Sequence, residues 1–181
     1  SHGLIGKQNC YEHSMRVPLI IGGPGIAVGK QTEAMCYLFD VLPTLGHLCG
    51  ISAPSASEGI DLSAVLSDPA KAARSTIMLA YRNVQRSVRD ERWKVIRYPQ
   101  VDRTQLFDLQ ADPYEVTNLS DRAECAATLG EMIALLEKER ASFADTLPLS
   151  AVNPLPAEWT PPRRGSDAHG ADGEVKERGV R

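Results

Sequence analysis

Few side chains in this sequence are typed and spaced for chemistry, and the first is a lysine. Lys7 closes the run Ser1-His2-Gly3-Leu4-Ile5-Gly6-Lys7, followed by Gln8-Asn9. A phosphate-binding loop would read G-x-x-x-x-G-K-[ST] after a strand, and Gln8 stands where the magnesium-holding hydroxyl is needed, so that reading fails. What remains is an ammonium between small or flexible residues, able to approach an oxyanion closely. On spacing alone, a plain surface lysine is the simpler reading. The second feature is electrostatic. Arg82, Arg86, Arg89, Arg92, Lys94, Arg97 and Arg103 face only Asp90, Glu91 and Asp102 across the same stretch, a local excess of +4. Such a patch could meet an anionic substrate or an acidic surface; the plainer reading is a solvated sheet face with edge-protecting charges. His13, between Glu12 and Arg16, reads as part of a local ion pair rather than a proton-transfer group. No G-x-S-x-G elbow, H-E-x-x-H or paired-carboxylate cluster with a neighbouring histidine occurs. The four cysteines, at 10, 36, 49 and 125, have no metal-ligand spacing, and free thiols are favoured over disulfides. Cys36 and Cys49 lie in apolar sequence and read as small buried hydrophobes.

The elements that must position these groups follow from periodicity. Val17 to Ile21 (VPLII) is a short branched apolar run stopped by Gly22-Gly23-Pro24-Gly25, the pattern of a buried strand. A helix is predicted from about Asp40, its cap, to Cys49, ended by Gly50, with Leu42, Leu45, Leu48 and Cys49 as a core-facing stripe. His47 falls off that stripe and reads as a surface residue. Residues 52–75 read as a loop with a helical turn near Leu62 to Leu66. Strands are then predicted at Ile77–Tyr81, Gln85–Arg89, Arg92–Tyr98 and Gln105–Leu109, with a hairpin at Asp90-Glu91 and a stop at Asp112-Pro113. In the third, Trp93, Val95 and Arg97 share one face and Lys94, Ile96 and Tyr98 the other. Four strands without intervening helices imply an antiparallel sheet. A long amphipathic helix follows from Asp121 to about Phe143, capped by Ser120, its stripe formed by Ala126, Leu129, Ile133, Leu136 and Arg140. Packing it on one sheet face buries both. From residue 148 the sequence turns rich in Pro, Gly and charge, and a disordered tail is expected through residue 181.

Composition bounds the rest. The 181 residues are 43% hydrophobic and 24% charged, which excludes collagen-like, coiled-coil and wholly disordered classes. A net charge of −3 gives no general reason to expect a nucleic-acid partner. The longest uncharged stretch, Val17 to Gly29, is broken by Pro24 and four glycines, so no membrane span is expected.

The blocks SHGLIGKQNCYEHSMRVPLIIGGPGI, YLFDVLPTLGHLCGI, EGIDLSAVL, RSVRDERWKVIRYP and QLFDLQADPYEVTNLSD, in this order and spacing, closely resemble the carboxy-terminal portion of type I, formylglycine-dependent sulfatases. The last is similar to their L-[FY]-D-L-x-x-D-P-x-E-x-x-N-L signature. The resemblance covers roughly residues 1–145. It implies an α/β, alkaline-phosphatase-like fold. Residues 1–75 would end the large α/β domain, and residues 76–147 would form a small four-stranded antiparallel sheet with its packed helix.

The same resemblance implies a chemistry. A formylglycine attacks the sulfate ester, and a calcium ion with lysines and histidines binds the sulfate oxygens. Lys7 falls where these enzymes place a sulfate-binding lysine, and His2 in the same loop would face the substrate. None of the cysteines begins the modifiable C-x-[PA]-x-R motif, and the metal-ligand pair would precede Ser1. The chain is therefore expected to be part of a longer sulfatase and inactive alone, with a sulfated small molecule or carbohydrate as substrate. A periplasmic or secreted location goes with the resemblance. Two alternatives stand beside this one: a non-catalytic module whose arginine hairpin contacts sulfated carbohydrate, and a phosphodiester or phosphonate hydrolase of the same superfamily.

Overall fold

A computed structural model of the chain describes residues 7–158. The amino-terminal part holds three short helices: α1 (Glu12–Met15), α2 (Val41–Leu48) and α3 (Ser63–Ser67). The strand expected at Val17 to Ile21 does not form. This segment is extended but unpaired, with Val17 62% and Ile20 91% exposed. A strand is stable only where another strand takes its backbone groups, and among the described residues none lies alongside.

Asp40 explains how α2 is anchored. A single 3-10 turn (Leu38–Asp40) leads into the helix, and the Asp40 carboxylate, fully buried, accepts the backbone N–H groups of Tyr37 at 2.7 Å and Ile60 at 2.8 Å. Arg74 pairs with the same carboxylate through Nε at 3.0 Å and Nη2 at 2.5 Å. One turn on, the buried Thr44 hydroxyl donates to the Asp40 carbonyl and accepts from Leu62 N–H. Gly59 is needed because a Cβ there would meet the Phe39 carbonyl oxygen at 2.3 Å. The EGIDL loop is thus stitched onto the DVLPTL helix by an aspartate, a threonine and one close backbone approach. The expected core-facing stripe of α2 is the correction here. Leu42, Leu45, Leu48 and Cys49 are exposed, while Thr44 is the buried residue, because the helix turns its polar side to the 59–62 loop. His47 stays at the surface, 3.0 Å from Asp61.

The sheet follows the predicted pattern closely. Strands β1 (Ile77–Tyr81), β2 (Gln85–Arg89), β3 (Trp93–Tyr98) and β4 (Arg103–Asp108) form an antiparallel meander in the order β1-β2-β3-β4. The outer edge of β1 is closed by a side chain: the Tyr37 hydroxyl accepts Met78 N–H at 2.6 Å and donates to Met78 C=O at 3.1 Å. Such capping removes two free groups from an edge that could otherwise pair with another chain.

Both faces of the sheet are covered. On one, Met78, Val88, Val95 and Leu106 pack against Met132 and Leu136 of helix α4 (Ala126–Ser142). On the other, Ile96, Phe107 and Leu109 pack against Cys10 and Tyr11. The second cover, a segment some 70 residues upstream of the sheet, is invisible to strand periodicity. Helix α4 begins later than predicted, after a 3-10 turn at Ala123–Cys125, and Ser120 does not cap it. Ser120 is used otherwise: its hydroxyl donates to the Thr104 carbonyl, while Leu119 N–H bonds Leu106 C=O, which ties residues 118–120 to β4. Beyond α4, Asp145 pairs with Arg86 of β2 and with Arg140, fixing the helix end to the sheet. Of the segment expected to be a tail, Ala151 and Leu155 donate backbone hydrogen bonds to Pro99 and Gln100; residues 159–181 lie outside the described residues. The four cysteines are free; Cys10 is buried, and Cys49 is exposed rather than buried as expected.

Candidate functional site

Lys7 sits at the surface in a turn, with a left-handed backbone of φ +54°. That conformation is unusual for a residue with a Cβ and persists only where the surroundings impose it. The chain is anchored immediately downstream. Asn9 and Cys10 are buried, and three successive backbone amides are taken by side chains. Cys10 N–H donates to Gln85 Oε1 at 2.8 Å, Tyr11 N–H to Asn9 Oδ1 at 3.0 Å, and Glu12 N–H to Glu115 Oε2 at 2.7 Å. The Tyr11 hydroxyl donates to Gln105 Oε1 at 2.7 Å, and the Tyr98 hydroxyl lies 3.0 Å from it.

Charge reinforces this anchorage. Lys94 of β3 is fully buried, with its ammonium 2.9 Å from Glu12 Oε1 and 2.8 Å from Glu115 Oε1. The contact to Glu115 lies off the line of a good hydrogen bond and acts mainly through charge. Arg89 takes the other oxygen of Glu12 at 2.6 Å. Two cations thus face two carboxylates in a largely buried cluster, the balance that buried charges require. Burial, only partly offset by Lys94 and Arg86, pushes the neighbouring Cys10 thiol up to about 11, so it stays protonated and unreactive.

Of the side chains singled out in sequence, Lys7 lies exposed three residues before this buried anchor, while His2 lies outside the described residues. The basic hairpin resolves into internal pairs. Arg86 meets Asp145, Arg89 and Lys94 meet Glu12, Arg92 meets Asp108, and Arg97 meets Asp102. Neither sequence reading of that patch holds, because most of its charge is already neutralised by carboxylates within the chain. Glu12, Gln85, Lys94 and Glu115 were missed as a group. The one available signal was the alternation that places Lys94 beside Ile96 and Tyr98 on an inward face. Among the described residues no group of three or more His, Cys, Asp or Glu side chains could hold a metal ion, so this donor set does not fit a calcium site.

Comparison with known proteins agrees with this architecture. Residues 1–142 match the family described as N-sulphoglucosamine sulphohydrolase, C-terminal. An N-acetylglucosamine-6-O-sulfatase of Bacteroides thetaiotaomicron is 31% identical over 160 residues, covering 81% of this chain and 29% of that protein. A protein solved in complex with its substrate D-glucosamine-2-N,6-O-disulfate superposes with a TM-score of 0.53 at 28% identity. That alignment covers 59% of this chain and 24% of the other. The phosphonate monoester hydrolase of Silicibacter pomeroyi shares the fold, with a TM-score of 0.66 at 23% identity over 78% of this chain and 32% of its own. The chain spans less than a third of the length of the curated relative it matches. With a family match over most of its length and an alkaline-phosphatase-like architecture, this chain belongs to the sulfatase family as a carboxy-terminal portion.

Proposed function

We propose that the complete protein is a sulfuric ester hydrolase to which this portion contributes a sulfate-binding lysine. The observation that carries the reading is the family match over residues 1–142, with Lys7 exposed in a left-handed turn just upstream of a buried anchor. The Lys7 ammonium would neutralise a sulfuryl oxygen and stabilise charge developing on the leaving-group oxygen, the role in which a preorganised cation accelerates ester cleavage. A formylglycine nucleophile and a calcium ion would be supplied by residues outside this portion. No cysteine here opens the modifiable motif, and the described donors form no calcium site. A sulfated sugar is the substrate class favoured, since one relative is named an N-acetylglucosamine-6-O-sulfatase and another protein was solved with a glucosamine disulfate. His2 would face the same substrate. A periplasmic or secreted location fits such a substrate.

The test is turnover of 4-nitrophenyl sulfate and glucosamine 6-sulfate by the complete enzyme. Lys7→Ala is expected to lower kcat/KM by about 10²-fold, as for loss of one charge-stabilising donor. Unchanged turnover would remove Lys7 from the mechanism. Faster cleavage of a phosphonate monoester than of either sulfate would favour the second reading, a phosphonate hydrolase, for which the shared fold is the motivating observation.

A further inference from the structure

The carboxylate of Glu115 is buried against the sheet and takes its partners from distant parts of the chain. It is 2% exposed and sits in the loop after β4, at a left-handed φ of +56°. A buried carboxylate in a strained backbone is costly, and its contacts show what it serves. One oxygen accepts the Glu12 amide at 2.7 Å, and the other faces the Lys94 ammonium at 2.8 Å. Lys94 in turn reaches Glu12 Oε1 at 2.9 Å. Glu12 is therefore gripped twice, through its backbone by Glu115 and through its side chain by Lys94, across 103 and 82 positions of sequence. Gln85 and Gln105 hold the two residues just before it, Cys10 and Tyr11, from other strands of the same sheet. Every one of these contacts converges on residues 10–12, and Lys7 leaves that anchor three residues upstream. Lys7 itself has no ion-pair partner among the described residues.

We propose that Glu115 and Lys94 are positioning residues for the sulfate-binding lysine: through Glu12 they lock the 9–12 backbone, and with it the place of the Lys7 ammonium. The inference rests on the reading of Lys7 given above. It assigns a purpose to the buried glutamate of the L-F-D-L-x-x-D-P-x-E stretch. A cation that must stabilise developing charge works only if held close to its productive place, and a displacement near 1 Å can cost about 10²-fold. Because a buried carboxylate and ammonium must each keep a partner, removing either one leaves the other uncompensated and frees the segment that both hold.

The test is a double-mutant cycle in the complete enzyme with 4-nitrophenyl sulfate. Glu115→Gln is close to isosteric and keeps an oxygen for the Glu12 amide. It is expected to lower kcat/KM about tenfold in the otherwise unaltered enzyme and by less than about twofold when Lys7 is already alanine. A merely structural role would give the same fold-loss in both backgrounds, and that result would overturn the proposal. Loss of activity in Lys7→Ala alone decides the prior reading: if that variant is fully active, Lys7 is not catalytic and the positioning role falls with it. Should Glu115→Gln fail to fold, the charge-balanced pair Lys94→Met with Glu115→Gln, which leaves Arg89 matched to Glu12, is carried through the same cycle. Failure of both to fold would make the cluster a folding determinant and reject the positioning role.

Discussion

Asp40 shows how one side chain can set the geometry of a whole segment. Burial pushes its carboxyl up, but Arg74 and the amides of Ile60 and Tyr37 outweigh that and hold it below its ordinary value of 3.8. Since the folded-state value is the lower one, the pairing contributes fully above the unfolded aspartate's range. It is lost as pH falls through the folded value, that is, beginning below about pH 4. Asp40→Asn should therefore destabilise the protein at pH 7 by about 3 kcal/mol, the cost of leaving a partly buried guanidinium without its charge partner. The difference from the unaltered protein should shrink toward pH 3. Urea midpoints at the two pH values measure this, and an equal deficit at both would contradict the assignment. Lys7 was legible in sequence as a lysine in a glycine-containing loop, and the family resemblance singled it out. Glu12, Lys94 and Glu115 were not, because a charged residue on a strand reads as solvent-facing until the segment covering it is known. Lys94 is fully buried because Cys10 and Tyr11, distant in sequence, lie over its face.

Periodicity performed best for the elements stabilised by their own neighbours. The four strands and the carboxy-terminal helix appear where alternation and the apolar stripe put them, because a meander pairs each strand with the next in sequence. Helix α4 contributes Met132 and Leu136 to the core against Val88, Val95 and Leu106. Leu136 is fully buried there, so Leu136→Ala is expected to cost about 3 kcal/mol through lost contacts and the cavity left behind. Chemical denaturation would show it, and a cost under 1 kcal/mol would mean that the helix is not seated on the sheet. The failures at this scale share a cause. The VPLII run and the stripe of α2 have the right pattern for burial but no partner surface among the described residues. Helix α4 starts late because residues 118–120 are engaged by β4, a tertiary pairing that the cap-like Ser120 does not reveal.

The molecule as a whole carries an uneven surface. Leu42, Leu45, Leu48 and Ile51 are all exposed, as are Val17 and Ile20 in the segment before them. Apolar surface of that extent is normally covered in a soluble assembly. The 181-residue chain is expected to bind a hydrophobic dye such as ANS. Leu42→Ser with Leu45→Ser should cut that signal while moving the thermal midpoint by no more than a few degrees, since neither residue belongs to the folded core. Dye exclusion by the unaltered chain would show that this face is covered. Sequence by itself determined the sheet, the carboxy-terminal helix and the family, because those depend on local alternation and on motifs a few residues long. Only the tertiary structure decided that the basic hairpin is spent on internal carboxylates and that the loop bearing Lys7 is bolted to the far side of the sheet. Burial and charge pairing are settled by which distant segments meet, and a linear order of residues does not contain that information locally.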